Sequence, residues 1–210
     1  DSATSIGDYA FYKCSSLTNV TIGESVESIG DRAFQGCTSL TMSIPGSVTI
    51  PDTVTIPNSV TSIGHRAFQG CYSLTDVTIP DSVLTIGFRA FFECSKLKTV
   101  TISKSVSSIS ILQETFAYCS KLVNLSIPES VKNIGDYAFL KCESLTDVTI
   151  PDSVTSIGDG VFYECYNLKT ITIGKSVESI GKGVFSGCSK LTTVTIPESV
   201  TSINNEAFYS

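Results

Sequence analysis

Between Cys14 and Cys37 the apolar residues follow a fixed order, C-x2-L-x2-V-x-I-x3-V-x2-I-G-x2-A-F-x2-C, and the order then begins again. Cysteines mark the period at Cys14, Cys37, Cys71, Cys94, Cys119, Cys142, Cys165 and Cys188, with gaps of 23, 34, 23, 25, 23, 23 and 23 residues. A unit this small cannot enclose its own apolar face, so self-similarity at such a period predicts a solenoid whose units bury that face against one another. Inside a unit, Val20 and Ile22 alternate with Asn19 and Thr21, the period-two pattern of a half-buried strand. The run returns as Leu74/Val77/Ile79, Leu97/Val100/Ile102, Leu122/Leu125/Ile127, Leu145/Val148/Ile150, Leu168/Ile171/Ile173 and Leu191/Val194/Ile196, with Leu40/Met42/Ile44 as a copy one residue short. Stacking would pair these runs into one parallel sheet of about eight strands, one for each cysteine-marked unit. Proline follows the strand at Pro45, Pro80, Pro128, Pro151 and Pro197, and without an N–H it ends the ladder there.

A polar corner comes next, then a second apolar pair such as Val26 and Ile29, which predicts a short second strand or an irregular segment. Glycine follows at Gly7, Gly30, Gly64, Gly87, Gly135, Gly158 and Gly181; Asn204 stands there in the last copy and Ser110 in the enlarged one. Glycine replaced by Asn points to a left-handed backbone position. The closing A-F-x2-C places apolar residues at i, i+1 and i+4, the spacing of one helical turn, with nine phenylalanines from Phe11 to Phe208 in register as an aromatic spine. Two units depart from the period. The gap of 34 holds extra V-T-I-P-x-[ST] copies, predicting an extended insert at about 46–58, and the gap of 25 carries two additional residues near 110–113. The whole of 1–210 thus reads as a single solenoid of 23-residue units. Neither end shows a polar cap, so the chain is expected to be a piece of a longer array or a molecule whose ends associate.

Composition narrows the function classes. Apolar residues make up 41% and charged ones 16%, which suits a packed core, while the apolar runs are only a few residues long and predict no membrane insertion. A net charge of −6 with dispersed lysines gives no positive footprint for nucleic acid. Cysteines stacked in register lie about 4.8 Å apart with parallel Cα–Cβ vectors, whereas a disulfide needs converging Cβ atoms at about 3.8 Å, so buried thiols are expected in place of a disulfide framework. No C-x2-C pair exists and His65 is the only histidine, so no zinc site and no cofactor are implied. One histidine also leaves no Ser-His or Cys-His catalytic system beyond it, and the G-x-G runs at Gly158 and Gly181 are the repeat's own glycine plus a neighbour. The chain is read as a non-enzyme.

The unit L-T-D-V-T-I-P-D-S-V-x2-I-G-x2-[AV]-F-x2-C, present from Leu74 to Cys94 and from Leu145 to Cys165, resembles the BspA-type (treponemal) leucine-rich repeats, and the likeness runs through nearly the whole chain. That resemblance implies an α/β-type leucine-rich-repeat solenoid, a right-handed superhelix with a concave parallel sheet. It also implies a cell-surface or secreted protein of bacteria or protists, commonly an adhesin for extracellular-matrix or neighbouring-cell proteins. It brings no catalytic residues with it.

On that reading the ligand candidates are the outward strand positions: Asn19 and Thr21, Asp76 and Thr78, Thr99 and Thr101, Asn124 and Ser126, Asp147 and Thr149, Thr170 and Thr172, and Thr193 and Thr195. Thr also simply suits a solvent-facing strand. Against that plain explanation stands a regular hydrogen-bonding platform for an extracellular or host-surface protein, or else for a glycan. A structural spacer of a longer surface protein and a module that self-associates end to end compete with the platform. Rows of Thr also fit an ice-binding surface, an outsider because curvature would spoil the match to a lattice. Just after the strand, Lys104 and Lys175 each fall between two acids, predicting cross-strand pairs, while Glu129 and Asp152 are adjacent acids on a solvated edge. Asn19 and Asn124 open N-x-[ST] sequons.

Overall fold

The computed structural model describes residues 2–41, 53–103 and 109–209, with backbone only at 53–55 and 109. Short parallel strands carry the stack: β1 (Ser5–Ile6), β2 (Ser28–Ile29), β3 (Thr53–Thr55), β4 (Ser62–Ile63), β5 (Asp76–Ile79), β6 (Thr85–Ile86), β7 (Thr99–Ile102) and β8 (Ile109–Ile111). The second half adds β9 (Asn124–Ser126), β10 (Val131–Ile134), β11 (Asp147–Thr149), β12 (Ser156–Ile157), β13 (Thr170–Thr172), β14 (Ser179–Ile180), β15 (Thr193–Thr195) and β16 (Ser202–Ile203).

The second apolar pair of each unit, not the first, builds the continuous sheet. Nine strands run in the order β1-β2-β4-β6-β8-β10-β12-β14-β16, pairing Ile6 with Ile29, Ile29 with Ile63 and so on to Ile203. The expected eight-stranded sheet instead divides into a four-stranded sheet, β3-β5-β7-β9, and a three-stranded one, β11-β13-β15. Residues 19–22 of the first full unit carry no strand.

Register corrects two details of the unusual units. Met42 and Ile44 lie outside the described residues, and the strand that pairs with Asp76–Ile79 is Thr53–Thr55, with Val54 opposite Val77 and Ile56 buried. Residues 53–58 therefore belong to the rung, and the first part of the expected insert, 46–52, lies outside the described residues. In the enlarged unit Ile102 pairs with Ile79 and Ile111 with Ile86, which puts the two additional residues between Ile102 and Ile111. Leu112, not Ser110, then stands beside Gly135, where a Cβ on the glycine would come within 2.9 Å of the Leu112 carbonyl carbon.

The A-F-x2-C segment is not helical; no residue among those described is. An α-helix needs successive N–H groups to reach back four residues, and here every second amide is drawn to the next rung. Tyr9, Phe11 and Lys13 donate to the carbonyls of Asp31, Ala33 and Gln35 at 2.7–2.9 Å, while Ala10, Tyr12 and Cys14 close local turns onto residues three earlier. Alternation of this kind forces left-handed backbone at two places per unit, as at Arg32 (φ 55°) and Gly36 (φ 75°). The repeated glycine before the turn is not one of them. Its role is close approach: a Cβ on Gly87 would sit 2.5 Å from Gly64 C and from His65 N, inside the preceding rung.

The core is a dry column. The spine from Phe11 to Phe208 stacks ring on ring, with centroids 5.0–5.7 Å apart and planes within 18° of parallel. Offset stacking at such spacing adds to the burial each ring already provides. Cys37 and the six cysteines after it are buried as expected, and Cys14 is exposed. Each buried thiol also donates to a phenylalanine carbonyl of the preceding rung, from Cys37 to Phe11 at 3.0 Å through Cys188 to Phe162 at 3.2 Å.

Candidate ligand-binding face

Alternation along the first strand of each unit fixes which side chains face outward. Val77, Val100, Val148 and Ile171 turn inward and are buried, so their neighbours must lie on the other face. Parallel pairing then sets the candidates in rows. Asp76, Thr99 and Asn124 stand opposite one another, as do Thr78, Thr101 and Ser126. Asp147, Thr170 and Thr193 form a second set with Thr149, Thr172 and Thr195. Asp76, Thr99 and Thr170 are half-buried, and the other nine of these twelve are exposed. Asn19 and Thr21 are exposed too, on the stretch without strand pairing.

The rows do not run straight through. No ladder joins β9 to β11, and two adjoining clefts open at that break. One, of about 480 Å³, is lined by Ser126, Asp147, Thr149, Thr170 and Thr172 together with Leu125, Pro128, Glu129 and Pro151. The other, of about 360 Å³, is lined by Thr99, Thr101, Asn124, Ser126 and Asp147, with Val123 and Leu125. Both volumes lie within the range of ordinary ligand sites, about 300–1,000 Å³. Eight of the fourteen candidates therefore share one place. The sequence reading missed its apolar floor and rim: Leu125 is only partly buried, and Val123 is 47% exposed where the other units carry Thr or Lys. That departure at Val123 was the available signal.

Charge on the neighbouring corner is directed into the stack. Glu129 accepts the Ser153 N–H at 3.1 Å and Asp152 accepts the Lys175 N–H at 2.9 Å, so each carboxylate caps an amide of a neighbouring corner. Lys175 also pairs with Asp152 at 3.8 Å as the alternating charges predict, an exposed pair that contributes at most about 1 kcal/mol. Lys104 lies outside the described residues. Among the described residues, no three His, Cys, Asp or Glu side chains gather as a metal-binding group. Among them, too, no helix is long and apolar enough to cross a membrane. Chemically, the face offers hydroxyls, two amides and two carboxylates above a rigid apolar support.

Comparison with known proteins agrees with this architecture. The BspA type leucine-rich repeat region matches in six copies, over residues 1–53, 51–111 and 109–210. A leucine-rich repeat protein of T. pallidum, TpLRR, is 33% identical, with a TM-score of 0.58, over 90% of this chain and 72% of that one. The pneumococcal vaccine antigen PcpA shares the fold at 22% identity, with a TM-score of 0.57, over 94% of this chain and 57% of that one. No curated protein sequence matches the chain.

Proposed function

The chain belongs to the BspA-type leucine-rich-repeat family, and from that premise we propose that it is a non-enzymatic recognition and adhesion module of a cell-surface or secreted protein. Its ligand is an extracellular or host-surface protein, with a glycan as the alternative. The observation that carries this reading is the gathering of Thr99, Thr101, Asn124, Ser126, Asp147, Thr149, Thr170 and Thr172 around the adjoining clefts at the β9/β11 break. Hydroxyls on paired strands above a stacked core are held in place before a partner arrives, so little ordering entropy opposes binding. An array of purified host and bacterial surface proteins tests the reading. Replacing Thr99, Thr101, Thr170 and Thr172 by Lys abolishes the interactions; if every one survives, the face is not the site.

A further inference from the structure

All three arginines of the chain, Arg32, Arg66 and Arg89, occupy the same place on three consecutive rungs, each left-handed with φ of 55–56°. They stand on the turn edge, away from the strand face. Their guanidinium groups stand close to aromatic rings: Arg32 5.2 Å from the Tyr9 centroid, Arg66 4.9 Å from that of Phe88, and Arg89 4.8 Å from those of Phe88 and Phe92. Arg32 also donates to the Tyr9 hydroxyl. A guanidinium held against a ring is restricted in orientation, and those of its N–H groups that are not already engaged stay open to an acceptor. Arg89 already has a carboxylate partner, Glu114, whose Oε2 lies 2.8 Å away. Among the described residues no carboxylate lies within ion-pair distance of Arg32 or Arg66. Those two line a cavity of about 530 Å³ with Asp8, Tyr9, Asp31, His65 and Phe88. His65 Nδ1 accepts the Phe88 N–H at 2.9 Å, which leaves Nε2 as a further donor.

We propose that this turn edge is a second docking surface, and that it takes an extended polypeptide segment carrying Glu or Asp at alternate positions. Tyr and Arg are the residue types that dominate binding energy at protein interfaces, and the strand face has neither among its candidates. Rungs are about 4.8 Å apart, and alternate side chains of an extended chain about 6.7 Å, close enough for successive carboxylates to meet Arg32 and Arg66 through their flexible stems. The nearby acids decide against a denser polyanion. Asp8 and Asp31 accept the amides of Asp31 and His65 at 2.8 and 2.7 Å, and their charge offsets the two guanidinium groups that have no carboxylate partner. A sulfated glycan or a nucleic acid would be repelled there, whereas one or two planar carboxylates match the guanidinium fork.

The test titrates the full chain with a rhodamine-labelled Ser-Glu-Ser-Glu-Ser amide peptide at low salt, alongside Ser-Gln-Ser-Gln-Ser amide and a heparin-derived oligosaccharide. The expected result is saturable binding of the Glu peptide alone, weakened tenfold or more in R32Q/R66Q and less in R32K/R66K. A measurement independent of variants is phenylglyoxal modification of the unaltered chain, in which the Glu peptide protects Arg32 and Arg66 when mapped by mass spectrometry. Equal binding of the Gln peptide, preference for the sulfated sugar, undiminished binding in R32Q/R66Q, or absence of protection each overturns the proposal. Because these arginines lie apart from the strand face, the result leaves the reading of that face to its own test.

Discussion

The thiol of Cys94 donates to the carbonyl oxygen of Phe68 in the preceding rung at 3.2 Å, with both residues sealed from solvent. Burial pushes this thiol up from 9.0 to about 12. Below about pH 9 neither the folded nor the unfolded chain releases the proton. Above it the unfolded chain ionises first, so stability falls as pH rises, by about 1.4 kcal/mol per pH unit for this thiol, until the folded value is reached. The urea midpoint should drop between pH 8 and pH 10.5, and the deficit of Cys94→Ala relative to the unaltered chain should shrink over the same window. A deficit independent of pH would refute the account.

Phe139 lies mid-spine with no exposed surface, whereas Phe208 in the last rung is 38% exposed. Phe139→Ala is expected to cost about 3–5 kcal/mol, the range for a buried aromatic lost from a core that cannot collapse. Phe208→Ala should cost well under half of that. Urea titrations of the two variants side by side decide it.

Gly87→Ala tests the close approach of rungs. The new methyl group would meet Gly64 C and His65 N at 2.5 Å, backbone atoms that no rotamer change can move aside. A loss of about 1–3 kcal/mol is expected from overpacking. Gly7→Ala meets nothing within 4 Å and should be close to neutral. Equal thermal midpoints for the two variants would contradict this reading.

Asp152 separates capping from ion pairing. Lys175→Met removes an exposed pair at 3.8 Å and should shift stability by less than about 0.5 kcal/mol. Asp152→Ala also deprives the Lys175 N–H of its 2.9 Å acceptor and should cost about 1 kcal/mol. If the two variants unfold at the same urea concentration, the carboxylate is not acting as a cap.

The period, the phenylalanine spine and the thiol column could be read from the chain because each needs one residue per rung and nothing more. The closing turn could not. Ala33, Phe34 and Cys37 have the spacing of a helical turn, and only the neighbouring rung, which draws off alternate amides, excludes the helix. Val54 was missed because V-T-I-P recurs nearby and local pattern cannot choose the copy that pairs; Val77 chooses it. The glycine row misled in another way, since Gly and Asn at one position suggest a left-handed backbone whereas steric access to the rung before is what demands the missing side chain. At the candidate face, the polar rows followed from alternation, but the break between Ser126 and Asp147 did not, because Leu125 satisfies the repeat as well as Val does. The arginine column needed the stack itself, which brings residues 32, 66 and 89 together across unequal gaps.

Among the described residues, hydrogen bonds along the turn edge reach only the adjacent rung, as from Phe116 to Ala138 and from Phe139 to Val161. Pulled from its two ends, such a molecule has no shear-locked core to fail all at once. It should unspool, each 23-residue turn releasing about 80 Å of slack at about 3.4 Å per residue. Under tension it would behave as a yielding tether, lengthening turn by turn at modest force while the remaining coils keep their grip.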